Sequence, residues 1–248
     1  MAQSASQRLR SARRMGPPNV AERFKSAYGL VLLLVLSTFI AQSLVPFKDW
    51  GAVVITALAA VSATVALASS HLRHPVVTWS WRFAALGIVL SVIGAIAGGR
   101  AFFAAAALIQ ASLLMVGAFA VLRAVLTERE VGFRTILGAV SVYISLGLLF
   151  TFVYVAVERI AGDPIFGAGV HVETGDYVFF SMTTLTTTGY GNLVPAYQPG
   201  KMFSVSEMLM GQVFLVTLIA RLVSMWEPGR WLRQAGGLAE EPGEGDGA

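Results

Sequence analysis

The chain has 248 residues, 56% of them hydrophobic and 13% charged, where a soluble domain carries roughly 25% charged residues. That balance, together with apolar runs long enough to cross a bilayer, excludes an ordinary soluble fold and makes lipid the expected solvent. With no cysteine, disulfides, thiolate nucleophiles and cysteine-ligated metals are excluded too. The 18 Lys and Arg exceed the 14 Asp and Glu, but they sit in short clusters between apolar runs rather than along one face, so no nucleic-acid partner is expected.

In chain order, residues 1–26 hold Arg8, Arg10, Arg13, Arg14, Arg23 and Lys25 and read as a cytoplasmic basic tail able to touch anionic lipid headgroups. Ala41-Gln42-Ser43 has the small residues of a cleavage site, but the apolar core before it is too long and its basic leader too extended for a secretory signal. Residues 27–126 read as a four-helix transmembrane region with apolar segments Tyr28–Val45, Gly51–Ser69, Phe83–Gly98 and Ala101–Leu122. Residues 127–134 form a charged cytoplasmic connector. Residues 135–226 hold two further spans, Ile136–Val157 and Phe203–Ser224, separated by a loop of about 45 residues, a length that is usually functional or disordered. Residues 227–248, with Pro228, Pro242 and several acids, read as a disordered cytoplasmic tail.

Six spans place both termini on one side. Fourteen of the 18 Lys and Arg then fall on that side, and Lys48, Arg100, Arg159 and Lys201 on the other. This bias predicts cytoplasmic termini in a multi-pass plasma-membrane protein.

Within the long loop, Asp176–Thr186 is apolar and aromatic but too short to cross a bilayer, with Thr174 before it as an expected N-cap. It reads as a re-entrant half-helix. Irregular backbone at membrane depth is tolerated only where protein buries it or where it lines a water-filled path. The half-helix runs directly into Thr186-Thr187-Thr188-Gly189-Tyr190-Gly191-Asn192. A dehydrated cation needs a cage of oxygens, and successive carbonyls align only if left-handed dihedrals alternate with right-handed ones. Glycine adopts those cheaply, which marks Gly189 and Gly191 as the left-handed positions. The half-helix C-terminus adds about half a negative charge beneath the loop.

This run resembles the signature of the potassium channel family, whose filter is a ring of backbone carbonyls. The resemblance covers residues 135–226, including Pro195, Gly200-Lys201 and Gly211, and extends loosely over residues 27–126 to the extra helices of bacterial-type six-span subunits, with a pore module like that of two-pore-domain channels. It implies an all-α membrane protein: six transmembrane helices plus a re-entrant pore half-helix and filter loop, in a tetrameric pore. Thr187, Thr188, Gly189 and Tyr190 would offer carbonyls to potassium ions, the transported substrate, with Gly191 completing the filter; no cofactor is implied. One filter motif per chain calls for three further copies in a homotetramer. Thr183, Thr186, Asn192 and Glu207 would support the filter and its mouth, and Gly211 is a gating-hinge candidate or a close-packing residue. The family usually carries aspartate where this chain has Asn192, and some members a carboxylate where it has Thr183. A weakly selective monovalent cation channel of the same fold is therefore the alternative reading.

Other features have plainer readings. Glu207, ionisable within a span, is expected to bond to the back of the half-helix. Gln212 lines a cavity or bonds to another helix. Leu215, Ile219 and Val223 form either a constriction or a packing stripe. Gly94 and Gly98 are a helix-contact pair. His71 and His74 lack a third ligand for a metal, and His171 lies in the outer loop. No histidine falls in a span and no Gly-x-Ser-x-Gly is present, so a membrane enzyme is not expected. Paired broken helices, the mark of a carrier, are also missing.

Overall fold

The computed structural model describes residues 28–45, 49–69, 74–127, 133–167, 169 and 172–224. The two tails, most of the connector, His71 and His171 lie outside the described residues. Those described form seven helices and no strand: α1 Tyr28–Leu44, α2 Asp49–Ser69, α3 His74–Ala97, α4 Arg100–Thr127, α5 Phe133–Ala161, α6 Thr174–Leu185 and α7 Gln198–Ser224.

Five of these, α2, α3, α4, α5 and α7, are long and apolar enough to cross a membrane, whereas α1 is a shorter apolar helix of 17 residues. Five of the six expected spans thus meet this length among the described residues, and α1, the first of the six, falls just short of it. Boundaries also move. Helix α3 begins nine residues before the expected Phe83, because Pro75 falls at its second position, where the missing N–H is no loss. Trp79 and Trp81 are thus helical; Trp79 carries Arg82 at 5.0 Å from its ring centroid. Helix α7 likewise starts at Gln198, taking Pro199 and Gly200 into its first turn.

Helix α4 is the hinge of the packing, set against α2, α3 and α5, while α1 lies against α2, α5 and α6. Small residues let the helices approach. A Cβ on Gly117 would meet the Ala63 carbonyl oxygen at 3.4 Å, and one on Gly94 would meet the Phe103 ring at 3.2 Å. The Gly94/Gly98 pair is a contact only at Gly94; Gly98 has open space around it and a φ of +66°, the left-handed residue just past the end of α3. Thr38 on α1 and Ser62 on α2 share a buried hydrogen bond of 2.8 Å.

The largest buried side chains gather on α5: Leu148, Phe152 and Tyr154 are almost completely enclosed. Helix α5 thus packs against both α1 and α4 and against α6 and α7. By contrast α7 leaves Met202, Val205, Leu209, Val213, Val216 and Ile219 exposed, an apolar face that the chain alone does not cover.

Candidate functional site

The N-cap of the short helix α6 falls one residue before the expected Thr174. Glu173 is its N-cap, and the Glu173 backbone N–H donates to Asp176 Oδ2 at 2.8 Å, while Thr174 is the first helical residue. Asp176 also places a negative charge in the first turn, where the helix dipole favours it. The helix ends at Leu185, one residue short of the expected Thr186, which serves as C-cap. Its last carbonyl is held from two directions. The Tyr143 hydroxyl donates to the Leu185 oxygen at 3.2 Å, and α7 passes so close that a Cβ on Gly211 would overlap that same oxygen. Close approach to this oxygen is a structural reason for glycine at 211.

Beyond the helix the backbone alternates. Thr187 has φ +57°, Gly189 +53° and Gly191 +82°, while Thr188 and Tyr190 between them are not in the positive region. Two glycines at such positions are explained by their lack of a Cβ. Thr187 is not: a β-branched residue with positive φ is an outlier, with a cost of about 1–2 kcal/mol. Its surroundings over-determine it. The Thr187 N–H donates to the Thr184 oxygen at 2.9 Å, and Gln212 Nε2 on α7 donates to Thr187 Oγ1 at 3.1 Å. The Thr183 oxygen accepts from both the Thr188 and Gly189 N–H groups, at 2.8 and 3.2 Å.

Thr183 turns its hydroxyl to its own helix, donating to the Phe180 oxygen at 3.0 Å, so it holds the loop through its backbone oxygen and not through its side chain. The Thr186 hydroxyl donates to the Met182 oxygen at 2.8 Å and lies 2.8 Å from the Thr188 hydroxyl. The Tyr190 ring stacks on Phe179 of α6, with centroids 5.6 Å apart and planes 18° apart. Residues 186–192 are all exposed, Asn192 among them. Of the apolar stripe on α7, Leu215 packs against the core, whereas Ile219 and Val223 are exposed.

Glu207 is the one buried carboxylate among the described residues, at 0% exposure. Its partners are not threonines. Ser181 Oγ on α6 lies 2.5 Å from Oε1, and the Tyr154 hydroxyl on α5 lies 2.5 Å from Oε2. Ser181 Oγ also reaches the Gly147 oxygen on α5 at 2.7 Å, and the Tyr154 hydroxyl stands 3.4 Å from Ser204 Oγ. Three helices therefore meet at one carboxyl group behind the filter loop. Sequence reasoning missed Ser181, Tyr154 and Tyr143. The available signal was a hydroxyl at membrane depth, which must find a partner when buried.

Outside the loop, the segment after it is tied to the end of α5. The Ala196 N–H donates to the Ile165 oxygen at 2.8 Å, the Tyr197 hydroxyl to the Asp163 oxygen at 2.7 Å, and the Ile165 N–H to Glu158 Oε2 at 3.0 Å. Desolvation first, then the nearby Glu158 and Asp163, raise the Tyr197 pKa above the usual tyrosine range. Among the described residues no group of three or more His, Cys, Asp or Glu could hold a metal ion.

Residues 142–227 match the family model described as Ion channel. Over 82 residues the chain is 34% identical to two pore potassium channel c of Oryza sativa subsp. japonica, covering 33% of this chain and 17% of that protein. Over 50 residues it is 36% identical to the human voltage-gated delayed rectifier potassium channel KCNH5, covering 20% of this chain and 5% of that protein. An uncharacterized protein of Methanothermus fervidus is 31% identical over 86 residues, 34% of this chain and 12% of that protein. The chain thus spans less than a fifth of the length of these relatives. The matched stretch is thus similar to the pore of ion channels, potassium channels among them, and the similarity points to a channel rather than an enzyme.

Proposed function

We propose that this chain is one subunit of a homotetrameric, potassium-selective channel of the plasma membrane, with both termini cytoplasmic and Thr187–Gly191 as its filter. The observation that carries this reading is the alternation of left-handed positions at Thr187, Gly189 and Gly191. Such a run turns the oxygens of Thr187, Thr188, Gly189 and Tyr190 toward one axis, where they replace the water of a dehydrated cation. One chain supplies one wall of that cage. The exposure of the whole loop at membrane depth supports the same conclusion, since irregular backbone there must be covered by protein or line water. Three further copies around the axis meet both needs, and the uncovered apolar face of α7 gives them a surface to pack on.

The mechanism rests on charge and geometry. The C-terminal end of α6 points at the inner end of the loop and contributes partial negative charge there. Gln212 holds the Thr187 hydroxyl and Tyr143 the Leu185 oxygen, which limits how far the loop reorganises as an ion passes. A weakly selective cation channel is the second reading. It is favoured by Asn192, uncharged at the mouth, and by Thr183, whose hydroxyl is spent on its own helix.

Flux of potassium, rubidium and sodium into liposomes holding the purified protein tests the assignment. Potassium and rubidium should pass and sodium should not. Gly189→Ala has room for its Cβ but must keep a left-handed φ, at about 1–2 kcal/mol in each chain; it should abolish the flux or its preference. Equal sodium flux through the unaltered protein would establish the second reading, and unchanged selectivity in Gly189→Ala would remove the filter from this loop.

A further inference from the structure

A cavity of about 500 Å³ opens between the end of α1, the start of α4, the end of α5 and the first turn of α6. Its size lies within the range of about 300–1,000 Å³ typical of sites for small molecules. On one side α6 comes so near α1 that a Cβ on Gly175 would lie 3.1 Å from the Ser43 oxygen. Leu44, Val155 and Val172 give the lining an apolar wall.

Charges of both signs share the rest of the lining. Arg100 and Arg159 are its basic residues. The Arg159 guanidinium lies 5.6 Å from the ring centroid of Phe103, one turn into α4, and Arg100 Nη1 makes a long contact of 3.4 Å with the Gly162 oxygen. Glu158, Asp163 and Glu173 are its acidic residues. Glu158 already accepts from the Ile165 N–H at 3.0 Å and from the Tyr177 hydroxyl. Glu173 caps α6, but a carboxylate has about four acceptor sites, and the Asp163 and Glu173 side chains are exposed. Among the described residues no ion pair joins the basic side to the acidic one. A lone anion at the guanidinium groups would face the carboxylates, and a lone cation at the carboxylates would face the guanidinium groups. A small zwitterion meets both sides with the matching charge.

We infer that this cavity binds an aliphatic α-amino acid, with its carboxylate at Arg100 and Arg159, its ammonium at Asp163 and Glu173, and its side chain against Leu44, Val155 and Val172. Planar guanidinium groups take a carboxylate through paired N–H donors, which fixes its orientation as well as its charge. The occupant links the start of α4 to the first turn of α6. The site does not depend on which ion the filter selects, so it stands or falls separately from the reading above.

Equilibrium dialysis of radiolabelled L-leucine against the purified full-length protein measures the site. Leucine should bind saturably. Its two halves, 4-methylpentanoate without the ammonium and isoamylamine without the carboxylate, should each displace it at least about tenfold less well than leucine itself, since each gives up one charge-assisted contact. Arg100→Gln and Asp163→Asn, both at exposed positions, should each weaken leucine binding about tenfold, with unchanged elution on size exclusion showing that the variants fold. Absence of saturable binding, displacement by either half as good as by leucine, or an affinity untouched by either variant would overturn the inference. Lys48, close in sequence to Leu44, lies outside the described residues. Binding that appears only in Lys48→Gln would overturn the inference as well, because Lys48 would then be the group that fills the acidic side.

Discussion

Truncating Glu207 to alanine isolates the worth of the three-helix junction. Removing the carboxyl group leaves the Tyr154 hydroxyl with Ser204 Oγ alone, at 3.4 Å, a distance at which a hydroxyl bond is weak. An orphaned buried hydroxyl costs about 1–3 kcal/mol. Ser181 loses less, because its hydroxyl still reaches the Gly147 oxygen at 2.7 Å. With the void left by the missing carboxyl atoms, Glu207→Ala should destabilise each chain by about 2–4 kcal/mol. Glu207→Gln should be mild, at about 1 kcal/mol or less. Its amide keeps an oxygen for Tyr154 and can donate to Ser181 Oγ, which then gives its own proton wholly to Gly147. Tyr154→Phe, in turn, leaves Glu207 Oε2 unpartnered. Equilibrium unfolding in mixed micelles, followed through tryptophan fluorescence, should give a coupling between Tyr154→Phe and Glu207→Ala of about 1–3 kcal/mol. Strictly additive losses, or an alanine variant as stable as the parent, would refute the junction as a source of stability.

Gly211→Ala would gain about 1 kcal/mol in an unobstructed helix; here its Cβ collides with the Leu185 oxygen, so it should lower thermal stability and reduce potassium flux, and a stabilised, fully active variant would contradict the packing role. Gln110 is fully buried with neither amide atom hydrogen-bonded, so Gln110→Met should raise stability by about 1–3 kcal/mol, and a loss in unfolding measurements would mean that the amide has a partner. The Tyr197 pKa is raised in the folded chain, so the protonated hydroxyl is the form that folding favours. Its contribution is complete below the unfolded tyrosine value of about 10 and is lost as pH rises through the folded value. The stability difference between the parent and Tyr197→Phe should therefore shrink above that pH, and a difference independent of pH would count against the bond to Asp163.

The helices were legible because lipid demands long apolar runs, and their ends were not. A hydropathy reading stops at Ser80 and Arg82, but neither residue breaks a helix, and α3 runs on to Pro75 and His74. In the loop, Gly189 and Gly191 could be assigned a left-handed backbone from their missing Cβ. Thr187 could not, because a β-branched residue does not favour a positive φ and its contacts with Thr184 and Gln212 depend on the folded chain. Glu207 stood out as a carboxylate inside a span. Its partners did not, since the meeting of Ser181 and Tyr154, 27 residues apart, depends on how α5 and α6 are packed.

The attachments of α7 divide it as a lever is divided by its supports. Glu207 is fastened to Ser181 and Gln212 to Thr187, points about 7.5 Å apart at 1.5 Å of rise per residue. Beyond the stack of Phe214 on Tyr143, the next hydrogen bond is that of Arg221 to the Leu126 oxygen, about 13.5 Å past Gln212. Between them Val213, Val216 and Ile219 are exposed. A swing of the far arm therefore spares the loop only if the fulcrum lies beyond Phe214, whose ring stacks on Tyr143, and it must release the Arg221 contact. Any motion that carries Gln212 along pulls directly on the Thr187 hydroxyl.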